Sequence, residues 1–526
     1  MVLQEQTKLP VWGWAAPGEK VTVTFAGQTA TATAAADGTW RVDLPPVPSG
    51  DEGQVLTVAG KNTLTFQDVL VGDVWIASGQ SNMEFGIAND SRAAETLPKA
   101  NDPRLRFFFV PKFTAFDPQT DIAPDPKDPF SAKWLVCTPE NLGGPDVKNS
   151  FSAVAYYFAR ELRKTTGRPV GVIGTYWGDT AASAWTSLSG LRKNPAMARY
   201  VRDQRKLVAN FPQAKAAYAQ KKAAYDTALT QWNATVGNVY NAALKEWQAA
   251  AAQAQAAGQP VPAQPKPVSE RPKEIELPDG GRHGPANLYN GMVAPLIPYA
   301  IKGAIWYQGE ANADGLSKEY AALFPLMIND WRDKWAQGDF PFLYVQLANY
   351  RSENQWVWVR EAQLKTLSLP GTGMAVAIDV GDPFNIHPKD KLDVGHRLAL
   401  AARHVAYGED IVYSGPIYDS MTTEGGKLRV AFKNCGSGLI VGTSPLAPKD
   451  NPAPAPTELT GFTIAGTDQK FVAAKAVIDG NSVVVSSDQV PAPAAVRYDW
   501  ADSPPCDFYN KEGLPASPFR TDTWEK

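Results

Sequence analysis

The spacing of hydrophobic positions changes character four times along this chain. Up to residue 68 it has a period of two. Val21–Phe25, Gln28–Ala34 and Trp40–Leu44 alternate strictly, and Gly27, Asp37-Gly38 and Pro45-Pro46 punctuate them. Such alternation predicts strands with one face covered and turns between them. Residues 1–68 therefore read as an N-terminal β module, half of a small sandwich. From residue 69 continuous apolar runs replace the alternation: Val74–Ala77, Val170–Tyr176, Gly303–Tyr307, Phe342–Leu347 and Gly373–Asp379. Amphipathic segments lie between them. In Ser150–Lys164, Phe151, Val154, Ala155, Phe158 and Leu162 share one helical face; Ser317–Trp335, interrupted by Pro325, and Lys391–Tyr407 follow the same rule. Buried strands alternating with helices predict an α/β domain, a parallel sheet covered on both faces, over residues 69–189 and 276–407.

Residues 190–275 break that rhythm. They are rich in Ala, Gln and Lys, as in Ala214–Tyr218 and Trp247–Gln253. High helix propensity with few large apolar side chains predicts a long helical hairpin inserted at the surface. The Pro-rich stretch Gly258–Pro272 reads as extended, and nothing in the insertion offers catalytic chemistry. After Gly408 short strands return at Leu428–Phe432, Phe462–Ala465, Ser482–Ser486 and Ala495–Tyr498, giving a C-terminal β module over 408–526. The two β regions either pack together or stand apart.

Composition narrows the function classes. With 526 residues the chain exceeds a single core. A net charge of −3 and no long basic run leave no footprint for nucleic acid. No stretch of apolar residues is long enough to span a membrane. The 16 Trp, 18 Tyr and 21 Phe suit β-module cores first and sugar stacking second. The 3 Cys are too few for a disulfide framework or a zinc cluster. Cys435 and Cys506 fall in the same β region and either pair or stay free.

Ligands of a parallel sheet bind at the carboxyl ends of its strands. That rule selects Ser81, after the strand in Val74–Met83; Gly178-Asp179-Thr180; Gln308-Gly309-Glu310; and Asp379 with Asn385-Ile386-His387-Pro388 beyond it. A serine nucleophile needs a base. Of the 4 histidines, His283 lies in a Gly-rich loop and His396 and His404 lie inside a helix. Only His387 follows a core strand in a loop. Ser81 and His387 are thus the candidate nucleophile and base.

Gly79-Gln-Ser-Asn-Met83, Trp177-Gly178 with Trp185, Trp306-Tyr-Gln-Gly-Glu310, and Ile386-His-Pro388 followed by Lys391, Val394-Gly395 and Arg397-Leu398 resemble the ordered blocks of an SGNH hydrolase. More narrowly, they resemble the sialate O-acetylesterase-like carbohydrate esterases. Val11–Gly18, Phe151–Tyr156 and Leu514–Asp522 are similar to that family too, so the resemblance runs nearly end to end and is weakest over 190–275. It implies a flavodoxin-like three-layer hydrolase domain with flanking β modules. It also implies removal of O-acetyl groups from an acetylated carbohydrate without a metal or other cofactor. Carried over by position, Ser81 is the nucleophile and His387 the general base. The backbone N–H groups of Ser81 and Gly178 and the side-chain amide of Gln308 are oxyanion donors. Gln80, Asn82, Asp179, Glu310 and Asn312 are the candidate substrate contacts, with bracing of the Gln308 turn the favoured role for Glu310.

Two departures from the family pattern stand out. The Asp expected three residues before the histidine is Phe384 here, so the third member of the triad is open: Asp382, ranked first, Asp379, a backbone carbonyl near Asn385, or none. Where many relatives have Gly-Gly-Thr this chain has Gly178-Asp179-Thr180, and the added carboxylate either meets a substrate hydroxyl or, the favoured reading, caps a helix. Arg360-Glu361 reads as an ion pair on a helix. Rival readings are another acyl hydrolase or acyltransferase, a non-catalytic carbohydrate-binding protein, and a glycosidase using Asp179 and Glu310. The glycan is left open between xyloglucan, xylan, pectin and sialic acid; with Arg397 the one arginine inside the blocks, neutral glycans are favoured over sialate. The resemblance implies a periplasmic or secreted protein, and the start Met1-Val-Leu-Gln looks like the middle of a family motif whose export signal has been lost.

Overall fold

One 17-residue strand, Thr63–Gly79, organises the molecule in its computed structural model. The structure describes residues 1–524 apart from 129, 145–149, 258, 314, 353–354 and 444–455. Residues 63–68 of the strand are exposed and pair antiparallel with Gly50–Ala59, whereas residues 69–79 are buried. From Asp73 onward it pairs in parallel with Val170–Tyr176, and from Trp75 with Gly303–Tyr307 on its other side. Val2–Gln4 joins in parallel at Leu70–Gly72. The change of pattern at residue 69 is therefore no break in the chain. It marks where a single strand passes from an open β ribbon into the core.

The central sheet runs in the order Thr372–Val376, Phe342–Gln346, Gly303–Tyr307, Thr63–Gly79, Val170–Tyr176, Asp102–Phe109, Trp134–Cys137. All of these pairs are parallel except the last. The strand next to that edge, Asp102–Phe109, escapes a hydropathy reading because Pro103, Arg104 and Arg106 interrupt its apolar run, which the register shift between Asp102 and Arg106 against the short edge strand Trp134–Cys137 tolerates. Two helix pairs cover the sheet: Ala153–Thr166 with Leu392–Val405, and Ser317–Trp335 with Trp356–Thr366. The first of these begins three residues later than its periodicity suggests. Ser152 is its cap, accepting from Ala155 N, and Gly167 closes it at φ 71°.

The insertion is not a hairpin. The helix Ala198–Trp232 passes through a π-helical turn at Asn233–Gly237 into Asn238–Ala256, and both junction residues keep right-handed helical backbone. The Pro-rich segment runs back along this rod, with Trp247 Nε1 donating to Pro262 O at 2.9 Å and Trp232 Nε1 to Ser269 O at 3.0 Å. The N- and C-terminal β regions form separate apolar clusters. The C-terminal region is fastened to the central domain by Arg360, whose guanidinium donates to Leu347 O, Ala348 O, Ala501 O and Asp502 O at 2.8–2.9 Å. Arg360 therefore does not pair with Glu361, which takes Arg520 at 2.7 Å instead. Cys137, Cys435 and Cys506 are all free and buried.

Candidate active site

Ser81 stands at the carboxyl edge of the sheet because of Gly79. Its φ is 137°, and a Cβ there would lie 2.2 Å from Tyr307 O. Only glycine lets the two strand ends approach this closely. Gln80 N then donates to Tyr307 O at 3.0 Å, and Ser81 opens a single-turn helix, Ser81–Glu84. Gln80 is no substrate contact: it is buried, and its Oε1 accepts from Ala311 N at 3.1 Å.

Asn82 joins the nucleophile turn to the histidine loop. Its Nδ2 donates to Glu310 Oε1 at 2.6 Å and to Ile386 O at 3.0 Å, and its Oδ1 accepts from Lys391 Nζ at 2.6 Å. The residue after Ser81 is thus bonded to the residue before His387. Asn82, Glu310 and Lys391 are all buried, so Asn82 and Glu310 brace the site rather than face a ligand. Burial pulls the Lys391 ammonium down to about 7, against the nearby carboxylates of Glu310, Asp90 and Asp390. Burial raises Glu310 above the usual carboxylate range, with Asn82 pulling the other way.

The His387 imidazole is held below its ordinary range, first by burial and then by the charge of Lys391; Glu84 acts in the opposite direction. Asn385 Oδ1 accepts from His387 N at 3.0 Å and shapes the loop. Asp382 has a different task from the one expected of it: its Oδ1 accepts from Phe384 N at 2.8 Å. Asp379 is taken as well, held by Arg397 at 2.6 and 2.7 Å and by the Tyr509 hydroxyl at 3.1 Å. Among the described residues neither carboxylate bonds the His387 ring.

The oxyanion side also differs from expectation. Gly178 N donates to Glu84 Oε2 at 2.6 Å, and Glu84 also pairs with Lys112. A Cβ on Gly178 would lie 3.2 Å from Ser81 Cβ, so Gly178 stands directly beside Ser81. The Gln308 amide does not serve it. Both of its N–H groups are engaged, with Thr180 O at 3.0 Å and Asn312 Oδ1 at 2.7 Å, and its Oε1 accepts from the Tyr320 hydroxyl at 3.0 Å. Asn312 is the complement. Its Oδ1 accepts from Ala182 N and from Gln308, while its buried Nδ2 has no partner among the described residues.

Asp179 caps no helix. It sits at φ 60° with its carboxylate on the surface, 3.2 Å from both Arg282 Nη2 and His283 Nε2. Those bonds, that to His283 foremost, lower its affinity for a proton. Of the residues the sequence left without a role, Glu84 and Lys391 matter most. Glu84 lies three positions after Ser81, the spacing that puts two side chains on one face of a helix, and that was the available signal.

Residues 282–404 match the family model described as carbohydrate esterase, sialic acid-specific acetylesterase. The sialate O-acetylesterase of Mus musculus is 30% identical over 451 residues, covering 79% of this chain and 74% of that protein. The Homo sapiens sialate O-acetylesterase is 30% identical over 451 residues, covering 79% and 71%. Among solved structures, a carbohydrate acetylesterase from Xanthomonas citri superposes with a TM-score of 0.75 at 37% identity, over 99% of this chain and 97% of that one.

Proposed function

The chain belongs to the sialate O-acetylesterase family of carbohydrate esterases, and we propose that it removes acetyl groups from sugars through an acyl-enzyme formed on Ser81. Neutral His387 takes the proton of Ser81 Oγ as that oxygen attacks the acetyl carbonyl. The tetrahedral intermediate collapses, the imidazolium returns the proton to the departing sugar hydroxyl, and the acetyl group stays on Ser81. Water, activated by the same imidazole, then releases acetate and restores the serine. The observation that carries this reading is the Asn82 bridge, which fixes the nucleophile turn and the histidine loop to one another.

In this reading the oxyanion donors are the backbone N–H groups of Ser81 and Gly178 and the Nδ2 of Asn312, which replaces Gln308 because it alone has N–H to give. Glu84 takes the place intended for Asp382. Its charge already favours the imidazolium, and as His387 gains a proton Glu84 turns to it and leaves Gly178 N free for the acetyl oxygen. A water-excluded donor of this kind contributes roughly 3–4 kcal/mol to the transition state.

Counted among themselves, the five strands Val170–Tyr176, Thr63–Gly79, Gly303–Tyr307, Phe342–Gln346 and Thr372–Val376 lie in the order 2-1-3-4-5, with a sixth parallel strand, Asp102–Phe109, added outside Val170–Tyr176; this supports a flavodoxin-like SGNH hydrolase domain at 69–189 and 276–407. The β modules at 1–68 and 408–526 and the insertion at 190–275 are additions to it. No helix among the described residues is long and apolar enough to cross a membrane. We place the protein in the periplasm or outside the cell, where acetylated glycans are met; recovery of the native protein in the cytosolic fraction contradicts this. Acetate release from acetylated sugars by wild type and Ser81→Ala tests the chemistry. Equal release by the two removes Ser81 from the mechanism.

A further inference from the structure

The insertion helix stands against both sides of the catalytic edge. On the oxyanion side, Trp177 and Asp179 flank Gly178 and form one end of a cleft of about 610 Å³. Its other wall is the helix Ala198–Trp232, which contributes Tyr218, Lys222 and Tyr225, and the segment around Arg282 closes it. On the histidine side, Trp247 packs edge-on against Phe384 with ring centroids 5.3 Å apart, three residues from His387.

The cleft's surface has a definite chemistry. Tyr218, Lys222 and Tyr225 are half-buried on a helix that is mostly exposed, and their spacing puts them on one face. Most charges along the cleft are matched in pairs, His283 lying 3.2 Å from Asp179 and 3.7 Å from Glu276; among the described residues Lys273 has no ion-pair partner. Arg282 lies 3.2 Å from Asp179 and 3.1 Å from Glu274; Lys222 lies 2.5 Å from Asp226 and over the Tyr225 ring at 5.9 Å. With Asp179, Asp226, Glu274 and Glu276 set against Lys222, Lys273, Arg282 and His283, the cleft presents hydrogen-bond donors and acceptors with little net positive field to hold an anionic ligand. Flat aromatic faces interleaved with such groups suit a ligand whose faces are apolar and whose rim is hydroxylated. The volume falls in the range, roughly 300–1,000 Å³, that takes a ligand of several rings.

We propose that this cleft is a subsite for the neutral glycan chain beyond the acetylated sugar, so that the esterase acts on oligo- or polysaccharide rather than on a single sugar. Tyr218, Tyr225 and Trp177 stack on successive sugar rings, and the Asp179–Arg282 pair bonds their hydroxyls. The subsite rests on the acetylesterase reading only for the direction in which the chain leaves Ser81. Its binding chemistry is independent of that reaction.

The test uses the full chain carrying Tyr218→Ala and Tyr225→Ala, both on a surface helix. Acetate release is compared on acetylated xylan and xyloglucan oligosaccharides, on an acetylated monosaccharide, on an O-acetyl sialoside and on 4-nitrophenyl acetate. Binding of the same oligosaccharides without acetyl groups is measured on Ser81→Ala with and without the tyrosine changes. Wild type is expected to prefer a neutral oligosaccharide over the monosaccharide. The double variant should lose about tenfold in kcat/KM on that oligosaccharide, mostly through KM, and about tenfold in binding, with 4-nitrophenyl acetate unchanged. Equal performance of wild type and double variant on oligosaccharides overturns the subsite, as does a wild-type preference for the monosaccharide or the sialoside. Oligosaccharide binding that the tyrosines control, in a wild type releasing no acetate, upholds the subsite and overturns the acetylesterase reading instead.

Discussion

In the proposed mechanism His387 acts as a base only while neutral, so the groups that set its proton affinity would set the acid limb of the reaction. Burial and the Lys391 cation both disfavour the imidazolium, and the pKa lies below the ordinary imidazole value. The acid limb of kcat/KM is therefore expected below that value. Lys391→Met removes the cation, the imidazolium becomes easier to form, and the limb moves to higher pH. A limb that stays in place shows that Lys391 does not act on His387. Asn312→Ala should lower kcat by about 10²–10³ with little change in KM, as expected for one lost oxyanion donor; a KM effect with kcat preserved assigns Asn312 to ground-state binding. Glu84→Gln should lower kcat by about 10², and an unchanged kcat removes Glu84 from the mechanism. The positions of Ser81 and His387 at the sheet's carboxyl edge were legible because the strand-end rule depends on chain order alone. The roles of Gln308 and Asp382 were not. Both stand at the right edge, but a side chain's partners are set by neighbours distant in sequence, here Asn312 and Thr180 for one and the Phe384 backbone for the other. Asn82 was legible as part of a block, yet its bond to Ile386 O spans 304 positions and no local pattern encodes it.

At the level of elements, the strand Thr63–Gly79 does two jobs, and its last residue cannot change. Gly79→Ala puts a methyl group against Tyr307 O in a backbone region that disfavours alanine. A loss of about 2–4 kcal/mol in chemical denaturation is expected, and a loss under 0.5 kcal/mol would mean that the strand ends are not so closely apposed. The core strands and most helices were readable because each buries a continuous run or a clear stripe. The insertion was misjudged for a physical reason. Helix propensity is the same in a hairpin and in a single rod, and a π-helical turn at Asn233–Gly237 leaves no Pro or Gly-rich break to distinguish them. The strand Asp102–Phe109, next to the sheet's edge, was missed because its charged positions are tolerated only where the partner on one side is short and the pairing bulged.

The whole molecule is a central α/β sheet that shares a strand with one β region and clasps the other through Arg360. Burial pulls that guanidinium down to about 10, yet each of its three nitrogens has a carbonyl partner. Arg360→Met leaves four carbonyls short of a donor, those of Leu347 and Ala348 buried, and should cost about 3–5 kcal/mol. Scanning calorimetry is then expected to show the C-terminal β region melting ahead of the rest; a single unshifted transition contradicts the clasp. The sequence placed both β regions but not their attachments, which depend on long-range polar contacts rather than periodicity. The chemistry at the centre rests on one covalent event. The most direct measurement is peptide mapping by mass spectrometry of enzyme acid-quenched during turnover of an acetylated oligosaccharide, with His387→Ala alongside. The account predicts an acetyl group on the peptide containing Ser81 in the wild type and none in His387→Ala. Acetate release by the wild type with the label on another residue, or undiminished release by Ser81→Ala, contradicts it.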